Sequence, residues 1–324
     1  MFLAGDIGGT KTLLAFVNLD KGSYETIKKK TFRSQNYNSL EEILEEFLQD
    51  HAEKIRGACF GIAGPVIAQE TKTPNLPWVV KVKSLQEKLK INKVFLINDL
   101  LANAYGIKTL SEKDFFLVHP GEENLKGNQA LISAGTGLGE AGFITLGHQR
   151  IPFSSEGGHS SFASRNEEQM DLYKFLKKKY QGHVSIERLL SGSGLENIYN
   201  FLIQEKGFAP IPEKLLIDNP LPATISQLAQ TQQNTTCVKV LEIFTEIYGA
   251  ESGDVALKFL ATGGIYLGGG IAPKILSFIK TPRFFQAFSD KGRLKPLLEK
   301  IPIRVILNEE TALRGAAYFI KNNA

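Results

Sequence analysis

The sequence predicts an α/β protein made of two related domains that face each other across a cleft. Three observations lead there. The chain has 324 residues, enough for two domains on the usual prior of ~150 residues each. A theme of apolar strand, glycine turn and strand occurs once in each half, as FLAGDIGGTKTLLAFVNL and as ALISAGTGLGEAGFITL. Apolar residues at helical spacing fill much of the remaining chain, most extensively over 166–260.

Taken in order, FLAGDI, TLLAFVNL and YETIKKKTF read as an antiparallel meander, with Gly8-Gly9 and Lys21-Gly22 as its turns. A helix follows from Ser39. Leu40, Ile43, Leu44, Phe47 and Leu48 share one face, and Ser39 with Glu42 has the capping-box pattern. GACFGI is a buried strand, 64–78 is an irregular Pro-containing stretch, and Val94 to Asn98 is another apolar strand leading into the helix DLLANAYG. The composition turns polar over 107–113, so the first domain is placed at 1–109 and the second at 110–307. In the second domain ALISA and EAGFITL are strands joined by GTGLG, and Val238, Leu241, Phe244 and Tyr248 mark one face of a long helix. The segment GGIYLGGGIAPKIL reads as strand, glycine loop and helix, with Pro273 in the first helical turn. The last helix, within 308–324, returns to the first domain.

The formal net charge of +4 is mild. The triplets Lys28–Lys30 and Lys177–Lys179 read as solvated faces, because no aromatic interleaving or basic stripe accompanies them; no nucleic-acid partner is expected. Cys59 and Cys237 sit in apolar surroundings and read as buried thiols of a reducing compartment. The N-terminus lacks a basic n-region, and nowhere do about 18 apolar residues run together. A cytoplasmic protein without a membrane partner is expected. A homodimer is compatible with the sequence but has no signal in it.

Three glycine turns each follow an apolar strand, and each can present backbone N–H groups to phosphate oxygens. For Gly5-Asp6-Ile7-Gly8-Gly9-Thr10 the plain alternative is a hairpin turn. Asp6 tilts the reading, since a carboxylate there can hold Mg²⁺, usually through water, beside the phosphates it neutralises. The segment is not a Walker A loop, which needs Gly-Lys-Ser/Thr. GLGEAG matches GxGxxG literally, but a strand follows it where a dinucleotide site needs a helix.

Asn98-Asp99 stands at a strand's carboxyl end, where open α/β sheets hold ligands. On pattern alone Asp99 caps the following helix; beside phosphate loops it becomes a natural general base for an attacking hydroxyl. Glu187 is a first-turn residue that a helix dipole would stabilise without any ligand. Glu156 and His159 flank two glycines, whose backbone freedom lets the chain turn tightly and aim both side chains at one small volume. A diiron Glu-x-x-His pair needs a helix and a second copy, and the sequence has neither. Hydrogen bonding to a polyhydroxylated ligand remains as the use for these residues.

The motifs GDIGGT, INDLLANAYGI, SAGTGLG, SSEGGHSSFA, HVSIERLLSGSGLENIY, GGIYLGGGIAPKIL and FSDKGR together resemble the bacterial glucokinase family, within the hexokinase and actin-like ATPase superfamily. The likeness runs in order from Gly5 to about Gly315. It implies two ribonuclease H-like domains and transfer of the ATP γ-phosphoryl group to the 6-hydroxyl of D-glucose, giving glucose 6-phosphate and ADP. Asp99 would be the catalytic base and a sugar contact, and Asn98, Glu156, His159 and Glu187 would hold sugar hydroxyls. Gly5 to Thr10 would bind phosphate, with Thr136 and Gly137 as the second phosphate segment, and Gly268, Gly269 and Gly270 would lie near the adenosine. Lys11 departs from the family's usual Asn, and 65–78 is short. A related repressor and kinase family carries a zinc cysteine cluster, which two distant cysteines cannot form. A kinase for another hexose, a sugar-sensing regulator and a filament-forming ATPase are the competing readings.

Overall fold

The computed structural model describes residues 1–19, 24–49, 54–73, 76–122, 124, 126–147, 149–216 and 219–323. The Lys21-Gly22 turn lies outside them. The chain divides into two compact units. One comprises Met1–Asp114, Pro152–Ser154 and Asn308–Ala324; the other comprises Phe115–Ile151 and Ser155–Leu307.

The first unit carries strands β1 (Phe2–Ile7), β2 (Lys11–Asn18), β3 (Glu25–Arg33) and β4 (Ala58–Ile62), a short β5 and β6 (Glu70–Lys72 and Val79–Lys81), and β7 (Val94–Asn98). Its helices are α1 (Leu40–Leu48), α2 (Val82–Leu89), α3 (Asp99–Ile107) and the C-terminal helix Thr311–Asn323. The main sheet has the order β3-β2-β1-β4-β7. The meander is antiparallel, and β4 and β7 add in parallel. Side chains alternate across a strand, so β1 sends Leu3 and Ile7 into one apolar cluster with α1, and Phe2 and Ala4 into another with the C-terminal helix. Asp6 shares the second face.

At the start of α1, Ser39 Oγ accepts from the Glu42 N–H at 3.3 Å. The Glu42 carboxylate reaches one residue past the box, to the Asn38 N–H at 2.8 Å. The Lys28–Lys30 triplet lies on edge strand β3, where Lys30 pairs with Glu46 at 2.7 Å and Lys29 pairs with Glu310. Pro65 to Trp78 is not wholly irregular, since β5 pairs with β6 as a two-stranded ribbon.

The C-terminal helix packs on α3 backbone to backbone. A Cβ added at Gly315 would stand 1.7 Å from the Ala102 carbonyl oxygen, and one at Gly106 would stand 1.9 Å from the Thr311 carbonyl oxygen. Neither partner can yield as a flexible side chain could. Gly315→Ala is therefore expected to destabilise the protein by about 1 to 3 kcal/mol through overpacking. An unchanged urea midpoint would contradict this contact.

The second sheet is built from β8 (Phe115–His119), β9 (Gln129–Ala134), β10 (Leu138–Leu146), β11 (Gln149–Ser155, of which Pro152–Ser154 are counted with the first unit), β12 (Gly264–Gly268) and β13 (Ile303–Ile306), in the order β11-β10-β9-β12-β13-β8. The helices of the second unit are α4 (Glu167–Tyr180), α5 (Gly192–Lys206), α6 (Leu221–Gln230), the long α7 (Thr235–Lys258), and the shorter α8 (Leu276–Ile279), α9 (Pro282–Ser289) and α10 (Lys295–Leu298). Helix α7 is buried along most of its length and carries the centre of the apolar core. Lys177–Lys179 form the last turn of α4, where cations suit the helix dipole.

Pro273 is not in a first helical turn: α8 begins only at Leu276, with Ile275 as its N-cap. Residues 269–275 instead fold back toward the end of β9, with the Ile271 N–H bonded to the Ala134 carbonyl at 3.2 Å. Among the described residues no helix is long and apolar enough to cross a membrane. Cys59 and Cys237 are both buried thiols, and burial pushes both above the usual thiol range.

Candidate active site

In the first unit, Asp6 and Asp99 are brought together by strand register and one glycine. Asp6 lies opposite Gly61 on β4, and Gly61 lies opposite Ile97 on β7. Gly61 has no side chain, so α3 crosses close above it. A Cβ there would meet Ala102 Cβ at 2.7 Å and Asp99 Cα at 3.9 Å. The first turn of α3 thus leans over the sheet toward Asp6, and both carboxylates are half-buried. Burial first, and then the neighbouring Asp99 charge, push the Asp6 carboxyl up to about 6; Lys11 opposes the shift. Two carboxylates repelling each other under partial burial are a donor set that a cation relieves.

Asp99 is not the cap of α3. Asn98 holds that place: its φ of −60° and ψ of 146° are extended, and its Oδ1 accepts from the Leu100 N–H at 2.9 Å and the Leu101 N–H at 3.3 Å. The Asn98 amide also donates to the Gly64 carbonyl at 3.2 Å. An amide nitrogen has two hydrogens, so one remains for any ligand. Asp99, relieved of capping, accepts from the Leu100 N–H at 2.9 Å.

The turn between β1 and β2 is a hairpin closed by the Gly8 N–H and the Lys11 carbonyl at 3.0 Å. Gly5 lies within β1, where a Cβ would meet Phe60 at 2.5 Å, and the Ile7 side chain is fully buried. Gly5 is thus a packing residue. Thr10 is the exposed residue of the segment, and Gly8 and Gly9 are half-buried.

The second unit holds the other predicted residues. Glu187 is not in an α-helix but in a single 3₁₀ turn, Ile186–Arg188. Its place is fixed by a specific contact instead of a helix dipole: Oε2 accepts from the Leu138 N–H at 3.0 Å, and a Cβ at Gly137 would stand 2.5 Å from the same oxygen. Glu187 therefore braces the Gly135–Gly137 turn. That turn is closed by the Gly135 N–H and the Gly137 carbonyl at 2.8 Å, and Thr136 is exposed at its tip.

Glu156 precedes and His159 ends another 3₁₀ turn, Gly157–His159. Their side chains are both exposed, with His159 Nε2 3.9 Å from Glu156 Oε2. The turn is not the flexible glycine loop the sequence suggests. Neither Gly157 nor Gly158 has a left-handed backbone; both are required by crowding. A Cβ at Gly157 would stand 1.9 Å from Glu140 Oε2, and one at Gly158 would stand 2.1 Å from the Leu138 carbonyl oxygen. The turn thus lies flat on β10, whose first residue also binds Glu187.

A cavity of about 950 Å³ opens beside the Gly135–Gly137 turn. Gly135, Thr136 and Gly270 line it together with Gly192 and Ser193 at the start of α5, Pro222 and Gln227 on α6, and Lys274. Gly269 precedes it with φ of +79° and no room for a Cβ beside the Ala134 carbonyl, 2.2 Å away. The start of a 15-residue helix gives the cavity a positive dipole end suited to phosphate. The sequence assigns no site role to the α5 and α6 residues, although the start of α5 lies within HVSIERLLSGSGLENIY. The SGSG that opens α5 is a signal that could have found the first of them, whereas LPATISQLAQ carries none.

The strand order shared by both units, three antiparallel strands followed by two in parallel, defines the ribonuclease H-like fold of the actin-like ATPases. A crystal structure of a glucokinase from an Antarctic psychrotroph has this fold with a TM-score of 0.83 at 29% identity, over 99% of this chain and 98% of its own. A ROK family glucokinase from Streptomyces griseus, in complex with glucose and AMPPNP, shares the fold at a TM-score of 0.67 and 19% identity, with 99% of each chain covered. The glucokinase family profile matches residues 3–323, and the glucokinase of Trichormus variabilis is 39% identical over 337 residues, 98% of each chain. The chain belongs to the glucokinase family.

Proposed function

We propose that the protein transfers the γ-phosphoryl group of ATP to the 6-hydroxyl of D-glucose, with Asp99 as the general base. The observation that carries this is the placement of Asp99 after the Asn98 cap, beside the half-buried Asp6. Such a carboxylate can accept a hydroxyl proton as the oxygen attacks. Asn98 contributes its remaining amide hydrogen to the sugar. Glu156, His159 and Glu187 accept from and donate to the other hydroxyls, which sets the 6-hydroxyl in line for attack.

The Gly9–Thr10 part of the first turn and the Thr136–Gly137 tip offer N–H groups to phosphate oxygens, and the cavity at Gly270 and the start of α5 takes the nucleoside side of ATP. Asp6 would hold a divalent cation, directly or through water, which supplies neutralisation of phosphate charge. The reading needs no zinc, nucleic acid or membrane, and the two buried thiols support a cytoplasmic setting. It is tested by glucose-dependent ADP release measured across glucose, mannose, fructose and N-acetylglucosamine. The expected result is a kcat/KM highest for glucose; ADP release independent of sugar, or preference for another hexose, would overturn it.

Glu156→Gln keeps the shape of the side chain and removes its charge. We expect it to raise the glucose KM by about 10-fold or more while leaving the ATP KM unchanged. A raised ATP KM instead would reassign the turn to the nucleotide.

A further inference from the structure

Beneath the Glu156–His159 turn lies a second carboxyl that the reaction itself does not use. Glu140, on β10, is 1% exposed, and its Oε1 has no hydrogen-bond partner among the described residues. Gly157 rests directly on its Oε2, so closely that no Cβ fits between them. The backbone of Glu140 grips the same turn: its carbonyl accepts from Ser155 Oγ at 3.2 Å, and that oxygen accepts from the Gly157 N–H at 3.2 Å.

From α7 the carboxyl faces Glu251, itself 7% exposed, and the charges of Lys258 and Asp254 also act on it. Lys258 pairs with Glu251 at 3.1 Å, and Lys291 pairs with Asp254 at 2.5 Å. Both cations are thus engaged by α7, and neither has a bond to Glu140 among these contacts. A buried carboxyl facing another carboxyl that already holds a cation ionises only at a cost, which favours the acid form of Glu140. Burial first, and then the Glu251 charge, push the Glu140 carboxyl up to about 7, against a lowering by Lys258.

We propose that Glu140 is a positioning residue for the sugar-binding turn, working as a carboxylic acid that keeps its proton beside Glu251 and so lets Gly157 pack upon it. Loss of that proton places a second negative charge under the turn, which lifts from β10 and presents Glu156 and His159 poorly. The inference rests on the assignment of those two residues to the sugar. It predicts that glucose affinity, and not ATP affinity, falls as pH rises through neutrality.

The test compares the wild type with Glu140→Gln, which has the same shape but cannot ionise, and with Glu140→Ala. Glucose and ATP KM are measured from pH 5.5 to 9. In the wild type the glucose KM should rise by about 3- to 10-fold across this range with the ATP KM flat, whereas in Glu140→Gln the glucose KM should stay flat at the low-pH value. Glu140→Ala should raise the glucose KM by about 10-fold at every pH, and Gln at the same position should rescue it. A pH profile in Glu140→Gln identical to the wild type overturns the proposal and returns any pH dependence to other groups. Should the Ala variant fail to fold, the Gln variant decides alone. Amide exchange at Gly157 to Ser160 separates this failure from that of the sugar assignment. If Glu156→Gln leaves the glucose KM unchanged but exchange at the turn still quickens with pH only when Glu140 can ionise, the positioning role stands and the sugar role falls.

Discussion

Asp99→Asn is expected to lower kcat by about 10²- to 10⁴-fold, the usual worth of a general base. The glucose KM should stay within about 3-fold, because the substitution keeps the side chain's size and its oxygen acceptor. The Leu100 N–H that bonds Asp99 Oδ1 at 2.9 Å can still find an amide oxygen, and Asn98 still caps α3. The helix should therefore form as before, and the loss falls on proton transfer. Near-normal turnover would remove Asp99 from the chemistry. Turnover lost together with glucose affinity would show that the carboxylate binds the sugar without acting as the base. Removing the Asp99 charge should also let the Asp6 carboxyl fall back toward the ordinary range, since that charge is one of the two causes that raise it.

Asp6→Asn should give the second large effect, with opposite signs for activity and stability. If Asp6 holds the cation that neutralises the phosphates, kcat/KM should fall by about 10²- to 10³-fold, the scale on which a preorganised electrostatic group contributes. The folded protein should nevertheless gain stability without divalent cation. The Asp6 carboxyl is raised in the folded state to about 6 from an ordinary value of 3.8. A group of this kind contributes its full stability below the unfolded value and loses it as pH rises through the folded value. Above pH 6 the carboxylate is thus a net cost to folding, and an amide of the same shape removes it. The gain at pH 7.5 should be roughly 1 to 3 kcal/mol, with the upper figure reduced by partial exposure. Below about pH 4 the gain should vanish. Equal stability of both proteins at pH 7.5, or unimpaired activity of the variant, would contradict the account of Asp6. A site that keeps a destabilising charge for its chemistry is a familiar trade-off between stability and activity.

Much of the fold can be read from the chain because several local signals agree. Ser39, the acidic first turn and the apolar face of α1 all point to one helix, and GACFGI and VFLIN are too apolar for anything but buried strands. The β5–β6 ribbon escapes such a reading because each strand has three residues, one of them buried, which is too short for a period. Helix α2 is likewise short, and four of its eight residues are Lys, Gln or Glu.

At the site, residue types were legible but their duties were not. Asn and Asp both cap helices well, and only the extended backbone at Asn98 settles which of the two does so here. The glycines of SEGGH could be required by backbone angle or by crowding, and the second cause depends on Glu140 and Leu138, which lie 17 and 20 residues before Gly157 and Gly158 respectively. Glu140 opens the segment EAGFITL, and nothing in that stretch of sequence marks it for burial. Its burial follows from α7, more than 100 residues later in the chain.

The most direct measurement is a structure of the protein with glucose bound. The account predicts an Asp99 carboxylate oxygen within hydrogen-bonding distance of the 6-hydroxyl, with Asn98, Glu156, His159 and Glu187 on the remaining hydroxyls. Glucose bound with its 6-hydroxyl directed away from Asp99, or held without Glu156 and Glu187, would contradict it.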